Sequence, residues 1–118
     1  MAILSTGPIE NNPVSGVRPT QLVTVKIAAR DIPGVASVVI QGYFLGATRT
    51  LYVSEGISLA ANEVLTREYF ADLDAFEFVF STGETEEIGI SVWGKQASGQ
   101  LVDAHRVVAY ESERTELE

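Results

Sequence analysis

Cysteine is absent from the chain. That excludes a disulfide framework and a thiolate metal site, so folding must rest on packing. Histidine occurs once, and a lone imidazole makes no metal site unaided. No stretch approaches the roughly 18 apolar residues that a membrane-spanning helix needs. The start, Met-Ala-Ile-Leu-Ser-Thr, has an apolar run of only three residues after its methionine and no basic region before it, so neither secretory export nor membrane anchoring is expected. Basic residues are scarce. Eight stand against sixteen acidic ones for a net charge of −8, which repels phosphate backbones and anionic lipid headgroups and argues against nucleic acid and membrane surfaces as partners. Glycines are scattered, with no Gly-rich loop able to cradle a phosphate.

What is present is enough apolar material for one core: 46% of 118 residues, near the usual size of a single domain. The acidic excess lies wholly in residues 71–118, which hold eleven acids and three bases, whereas residues 1–70 hold five of each. Glu111, Glu113, Glu116 and Glu118 close the chain and read as a solvated tail over residues 112–118.

Proline is concentrated at one end. Pro8, Pro13 and Pro19, three of the four, fall in the first twenty residues and divide that stretch into short extended pieces, because proline fixes φ and lacks an N–H. Ile3, Leu4, Ile9, Val14 and Val17 are spaced along it. An extended segment with spaced apolar side chains suits a neighbouring sheet edge or groove, so residues 1–20 are expected to be an N-terminal arm with those five residues as its subunit-interface anchors. The alternative is a leader that hangs in solvent.

From Gln21 the period is two. Val23, Val25, Ile27 and Ala29 share one face, the pattern of a half-buried strand. Asp31-Ile32-Pro33-Gly34 reads as a turn, residues 35–45 as a second strand, and Gly46-Ala47-Thr48 as the hairpin turn into residues 49–54. Residues 57–59 continue extended, and residues 64–70 fit either a strand or a short helical turn. Phe76, Phe78 and Phe80 fall on one face, so replacing Phe78 should be severe. An acidic turn over residues 82–87, a strand over 88–94 and a reversal at Ser98-Gly99 into a strand over 101–110 complete the pattern. Seven or eight short strands predict an all-β body, a β-sandwich or jelly roll of antiparallel strands over residues 21–111.

Candidate chemistry is thin. His105 shares a strand face with Asp103, and Ser91 could lie on a partner strand, but no nucleophile elbow or oxyanion motif accompanies them. A structural or interfacial histidine is the better reading. Asp72 and Asp74 could hold a hard cation only loosely, since the other ligands of a calcium loop are missing. No catalytic residue, metal or cofactor is assigned, and the chain reads as a non-enzyme.

Two stretches carry a resemblance: Ile40-Gln41-Gly42-Tyr43 leading to Thr48-Arg49-Thr50-Leu51-Tyr52-Val53, and Ser91-Val92-Trp93-Gly94-Lys95 followed by Gly99-Gln100-Leu101-Val102 and Ala104-His105-Arg106. They resemble small cysteine-poor surface proteins of endospore-forming Bacillus-like bacteria. In plan the chain is similar to endospore-appendage pilins, whose N-terminal arm precedes a jelly-roll domain and reaches into a neighbour while subunits stack by β-augmentation. The better-known pilins carry arm cysteines that cross-link subunits, and this chain has none. The resemblance implies a place on the spore surface, reached without a signal peptide because coat layers are deposited from the mother-cell cytosol; without it a cytoplasmic place is expected.

The leading expectation is therefore a structural, self-assembling subunit whose partners are copies of itself, joined non-covalently by strand augmentation and arm docking into a fibre or layer. The alternative is a discrete β-sandwich binding module for a glycan or Ca²⁺, with Trp93, Tyr43, Asp72 and Asp74 lining a pocket.

Overall fold

Alternating side chains become strands throughout the described residues. The computed structural model describes residues 2–30, 34–83, 88–105 and 107–109. The strands are β1 (Ala2–Ser5), β2 (Ile9–Glu10), β3 (Leu22–Ala29), β4 (Val35–Leu45), β5 (Arg49–Ala60), β6 (Val64–Phe70), β7 (Ala75–Thr82), β8 (Ile88–Lys95), β9 (Leu101–His105) and β10 (Val108–Ala109). Sheet I has the order β10-β1-β7-β4-β5, with β2 also paired to β7, and sheet II the order β6-β3-β8-β9. The strand pairings are antiparallel in both sheets. Among the described residues there is no helix, and the architecture is all-β and sandwich-like.

The core lies between the sheets. Val23, Val25 and Ile27 of β3 and Val92 of β8 face Val38 and Ile40 of β4, Ile57 and Leu59 of β5, and Phe76, Phe78 and Phe80 of β7. All three phenylalanines are fully buried, each contributing on the order of 1.5–3 kcal/mol by leaving water. Phe78 is at the centre of the aromatic contacts: Tyr69 stacks on it at 5.5 Å, while Tyr52 and Phe76 meet it edge-on at 6.3 and 6.1 Å. Such geometries are favoured because the ring edge is positive and the face negative.

The β4–β5 hairpin turns where the sequence places it, at residues 46–48, and its register shifts at Gly42/Tyr43. A Cβ on Gly42 would stand 2.9 Å from the Phe78 ring and 3.0 Å from Val53 Cβ, so glycine at the bulge lets β4 close over the central aromatic.

Three expectations resolve differently from the simplest reading. Residues 49–60 form one strand, and residues 64–70 are strand β6 rather than a helical turn. The expected single strand over 101–110 is divided: β9 pairs with β8 in sheet II, whereas β10 pairs with β1 in sheet I. The chain crosses between sheets there because β1 offers a free ladder that β9, committed to β8, cannot use. The turn at 31–33, most of the acidic turn (84–87) and the tail 112–118 lie outside the described residues.

Candidate functional site: the N-terminal strands and the sheet borders

Extended backbone with unmet N–H and C=O groups seeks a ladder. Residues 2–5 and 9–10 find one on their own body. Ala2 to Ser5 pair with Thr82 to Val79 of β7, and Ile9 and Glu10 with Phe76 and Ala75. Within the single chain this segment is thus two strands of sheet I, not a projecting arm. Of the expected anchors, Leu4 and Ile9 pack against the core and Ile3 is half-buried, whereas Val14 and Val17 stay exposed. The last two bridge each other across a tight turn in which Ser15 and Gly16 both take positive φ, the geometry of a type I′ hairpin turn.

Polar side chains that the sequence did not single out hold the segment down. Ser5 donates to Oε2 of Glu77 at 2.6 Å, and the Gly7 N–H donates to the Ser5 hydroxyl at 2.8 Å. Arg49 donates to Oε1 of Glu77 at 3.2 Å and lies over the Tyr43 ring at 3.6 Å. Asn11 is buried, with its amide NH₂ within 2.7–3.1 Å of the carbonyls of Thr20, Ala71 and Leu73 and its Oδ1 accepting from the Thr20 N–H. That one side chain ties the loop over residues 12–19 to the β6–β7 connection. A buried polar hub is a tertiary object, so only its residue type, common in loops, was visible in the sequence.

The Asp72–Asp74 pair is spoken for. Arg18 donates to Asp72 Oδ1 at 3.1 Å and to Asp74 Oδ1 at 2.8 and 3.1 Å. The guanidinium stands where a cation would, and among the described residues no group of three or more acids and histidines is placed to hold a metal ion. Tyr43 belongs to sheet I and Trp93 to sheet II, so the structure does not gather these four residues into one pocket.

His105 faces inward opposite Val92, its ring edge-on to Phe76 at 6.3 Å. Burial lowers its pKa from the ordinary value, partly opposed by Asp103. Its Nε2 is buried without a partner among the described residues. Ser91 pairs with Lys26 on the alternate, outward side of β8, so Ser91 and His105 are not brought together.

The borders of the two sheets differ in chemistry. On the β5/β6 side Glu55 of β5 takes hydrogen bonds from Arg67 at 2.8 Å and Tyr69 at 2.7 Å. Those contacts, Arg67 first, hold the Glu55 carboxyl below its usual range. The Tyr69 phenol is pushed up by burial and then by Glu55. Tyr52 donates to the Phe70 carbonyl at 2.5 Å, and burial raises its pKa to about 12. Side chains therefore cap the β6 border. Among the described residues the β9 border has no such cover: Leu101 and Val102 are exposed there, and β8 is the sole partner of β9.

No protein-family model matches this chain, and no curated protein matches it.

Proposed function

We propose that the protein is a non-enzymatic structural subunit that assembles with copies of itself through β-strand augmentation and docking of its N-terminal segment, without covalent cross-links. The observation that supports this reading is the place of β1: a short strand of four residues, joined to the body through the proline-broken stretch that follows it and laid between β7 and β10. A ladder filled by a short strand on an extended connection is one that the same strand of a second copy can fill as well, which is the physics of strand exchange. In the assembled form residues 2–10 of one subunit occupy the β7 ladder of the next, Leu4 and Ile9 entering the neighbour's core and Val14 and Val17 meeting its surface. The uncapped β9 border accepts a further strand. A head-to-tail contact of this kind that does not close produces a filament. The body is then a jelly-roll-type domain, and a spore-surface fibre or layer is the setting that the resemblance of its motifs suggests.

Electron microscopy of the full chain beside a variant beginning at Gln21 tests the reading. Filaments or regular oligomers from the full chain, lost in the truncation and not restored by a free peptide of residues 2–10, support it. Circular dichroism of the truncation with and without that peptide establishes whether its body is folded. Monomers from the full chain at high concentration, with β1 still paired in its own sheet, overturn it.

A further inference from the structure

Lys26 and Lys95 are the only lysines of the chain, and both stand on the outward face of sheet II. The register explains how. Thr24 of β3 is opposite Trp93 of β8; Lys26 lies two residues along β3 from that rung, and Lys95 two residues along β8 on its other side. With Glu68 of β6 and Leu101 of β9 they line an open groove in which Trp93 and Leu101 are exposed.

The lysines differ from the paired arginines. Arg18 is bound to Asp72 and Asp74, Arg49 to Glu77 and Arg67 to Glu55, whereas neither lysine is in any ion pair among the described residues. The single carboxylate of the groove, Glu68, accepts from the Thr24 hydroxyl at 3.3 Å. The groove is thus a cationic, partly apolar patch on a molecule of net charge −8.

The complementary charge is in the same chain. After Ala109 come Tyr110, Glu111, Ser112, Glu113, Arg114, Thr115, Glu116, Leu117 and Glu118, four carboxylates against one guanidinium with an aromatic and a leucine among them. Nine residues reach at most about 30 Å when extended. β10, from which they leave, belongs to sheet I, so a chain's own segment would have to round the β9 border to reach the outer face of sheet II. A neighbour's segment has no such detour.

We infer that this groove receives the acidic C-terminal segment, residues 110–118, of a second copy, its glutamates on Lys26 and Lys95 and its apolar side chains against Trp93 and Leu101. The inference deepens the self-assembly reading and rests on it for the nearness of the second copy. Pairing across exposed charges steers and orders contacts more than it strengthens them, so this contact sets the relative orientation of neighbours.

Equal amounts of ¹⁴N- and ¹⁵N-labelled full-length chain are joined by a zero-length carbodiimide, which turns a touching carboxylate and lysine into an amide, and the cross-linked peptides are read by mass spectrometry. Mixed-isotope links from Lys26 or Lys95 to Glu111, Glu113, Glu116 or Glu118 are expected. Their yield falls about tenfold in 0.5 M salt, as screening of exposed pairs requires. Links confined to one isotope, or none to the C-terminal segment, overturn the inference. In parallel, a peptide of residues 110–118 added to the full chain shifts the emission of Trp93, the sole tryptophan, and the shift is lost in K26E/K95E. An acidic oligosaccharide that shifts this emission when the peptide does not also overturns it. Filaments without these links would sink this contact alone and leave strand augmentation standing.

Discussion

Ser5 and Glu77, 72 residues apart, are joined by a 2.6 Å hydrogen bond in which the serine hydroxyl donates to the carboxylate. Glu77 points outward between core phenylalanines, yet the residue is only 5% exposed because β1, Arg49 and Tyr43 cover it. The first strand is therefore held by a charge-assisted bond as well as by its ladder, and a loss there bears on both stability and strand exchange.

Ser5→Ala leaves one oxygen of a buried carboxylate without its donor, at a cost of about 1–3 kcal/mol. The urea midpoint falls, and the amides of β1 exchange with solvent faster than those of β3. If assembly proceeds by exchange of β1, the variant also assembles faster. An unchanged midpoint would show that this bond does not hold the strand.

Asn11 meets three carbonyls and one N–H at once. Asn11→Ala strands those groups and lowers unfolding free energy by about 2–4 kcal/mol. Asn11→Asp is worse at neutral pH, since a carboxylate then faces carbonyl oxygens, and recovers part of the loss in acid. Equal denaturation curves for the two variants at pH 7 and pH 4 would refute the electrostatic account.

Phe78→Ala empties the aromatic centre and costs about 3–5 kcal/mol. Gly42→Ala attacks the same place from the opposite side, pressing a methyl against the Phe78 ring, with a loss of about 1–3 kcal/mol. Because the two sites touch, their effects are non-additive. Thermal unfolding of the double variant checks this; strict additivity contradicts the contact.

With Arg18 across both Asp72 and Asp74, millimolar Ca²⁺ and EDTA leave the unfolding temperature unchanged. Arg18→Ala leaves the urea midpoint nearly unchanged, because ion pairs open to solvent add little, and frees two neighbouring carboxylates. Calcium-dependent stabilisation of the parent chain would overturn this assignment.

His105 is half-buried with its Nε2 out of contact with water, and its folded-state pKa lies below its ordinary 6.5. Above pH 6.5 both folded and unfolded chains carry it neutral, and its contribution is fully present. As pH falls below 6.5 the unfolded chain takes the proton first, so stability drops through the folded-state pKa. Unfolding free energy measured from pH 7.5 to 5 declines, and His105→Gln flattens the slope. An equal slope in both proteins would assign the decline elsewhere.

The body was legible where the physics is local. The alternation of Val23, Val25 and Ile27, and of Phe76, Phe78 and Phe80, fixes an inward face because successive side chains of a strand point oppositely. Turn residues marked the β4–β5 hairpin. The candidate site was legible only in outline. The apolar, proline-broken character of residues 1–20 foretold extended pieces, but Ser5, Asn11 and Glu77 carried no mark distinguishing them from surface residues. Asp72 and Asp74 read as a loose cation site until Arg18, 54 residues before Asp72, was placed on them.

The amino-acid order alone determined the all-β class, the strand faces, the phenylalanine core and the impossibility of disulfide stapling, since each follows from neighbours in sequence or from composition. Tertiary structure decided which ladder receives β1, why β10 leaves the sheet of β9, which carboxylates are neutralised and which border stays uncapped. Those outcomes depend on groups from distant positions satisfying one another at hydrogen-bond range, and that matching exists only once the sheets have closed on each other.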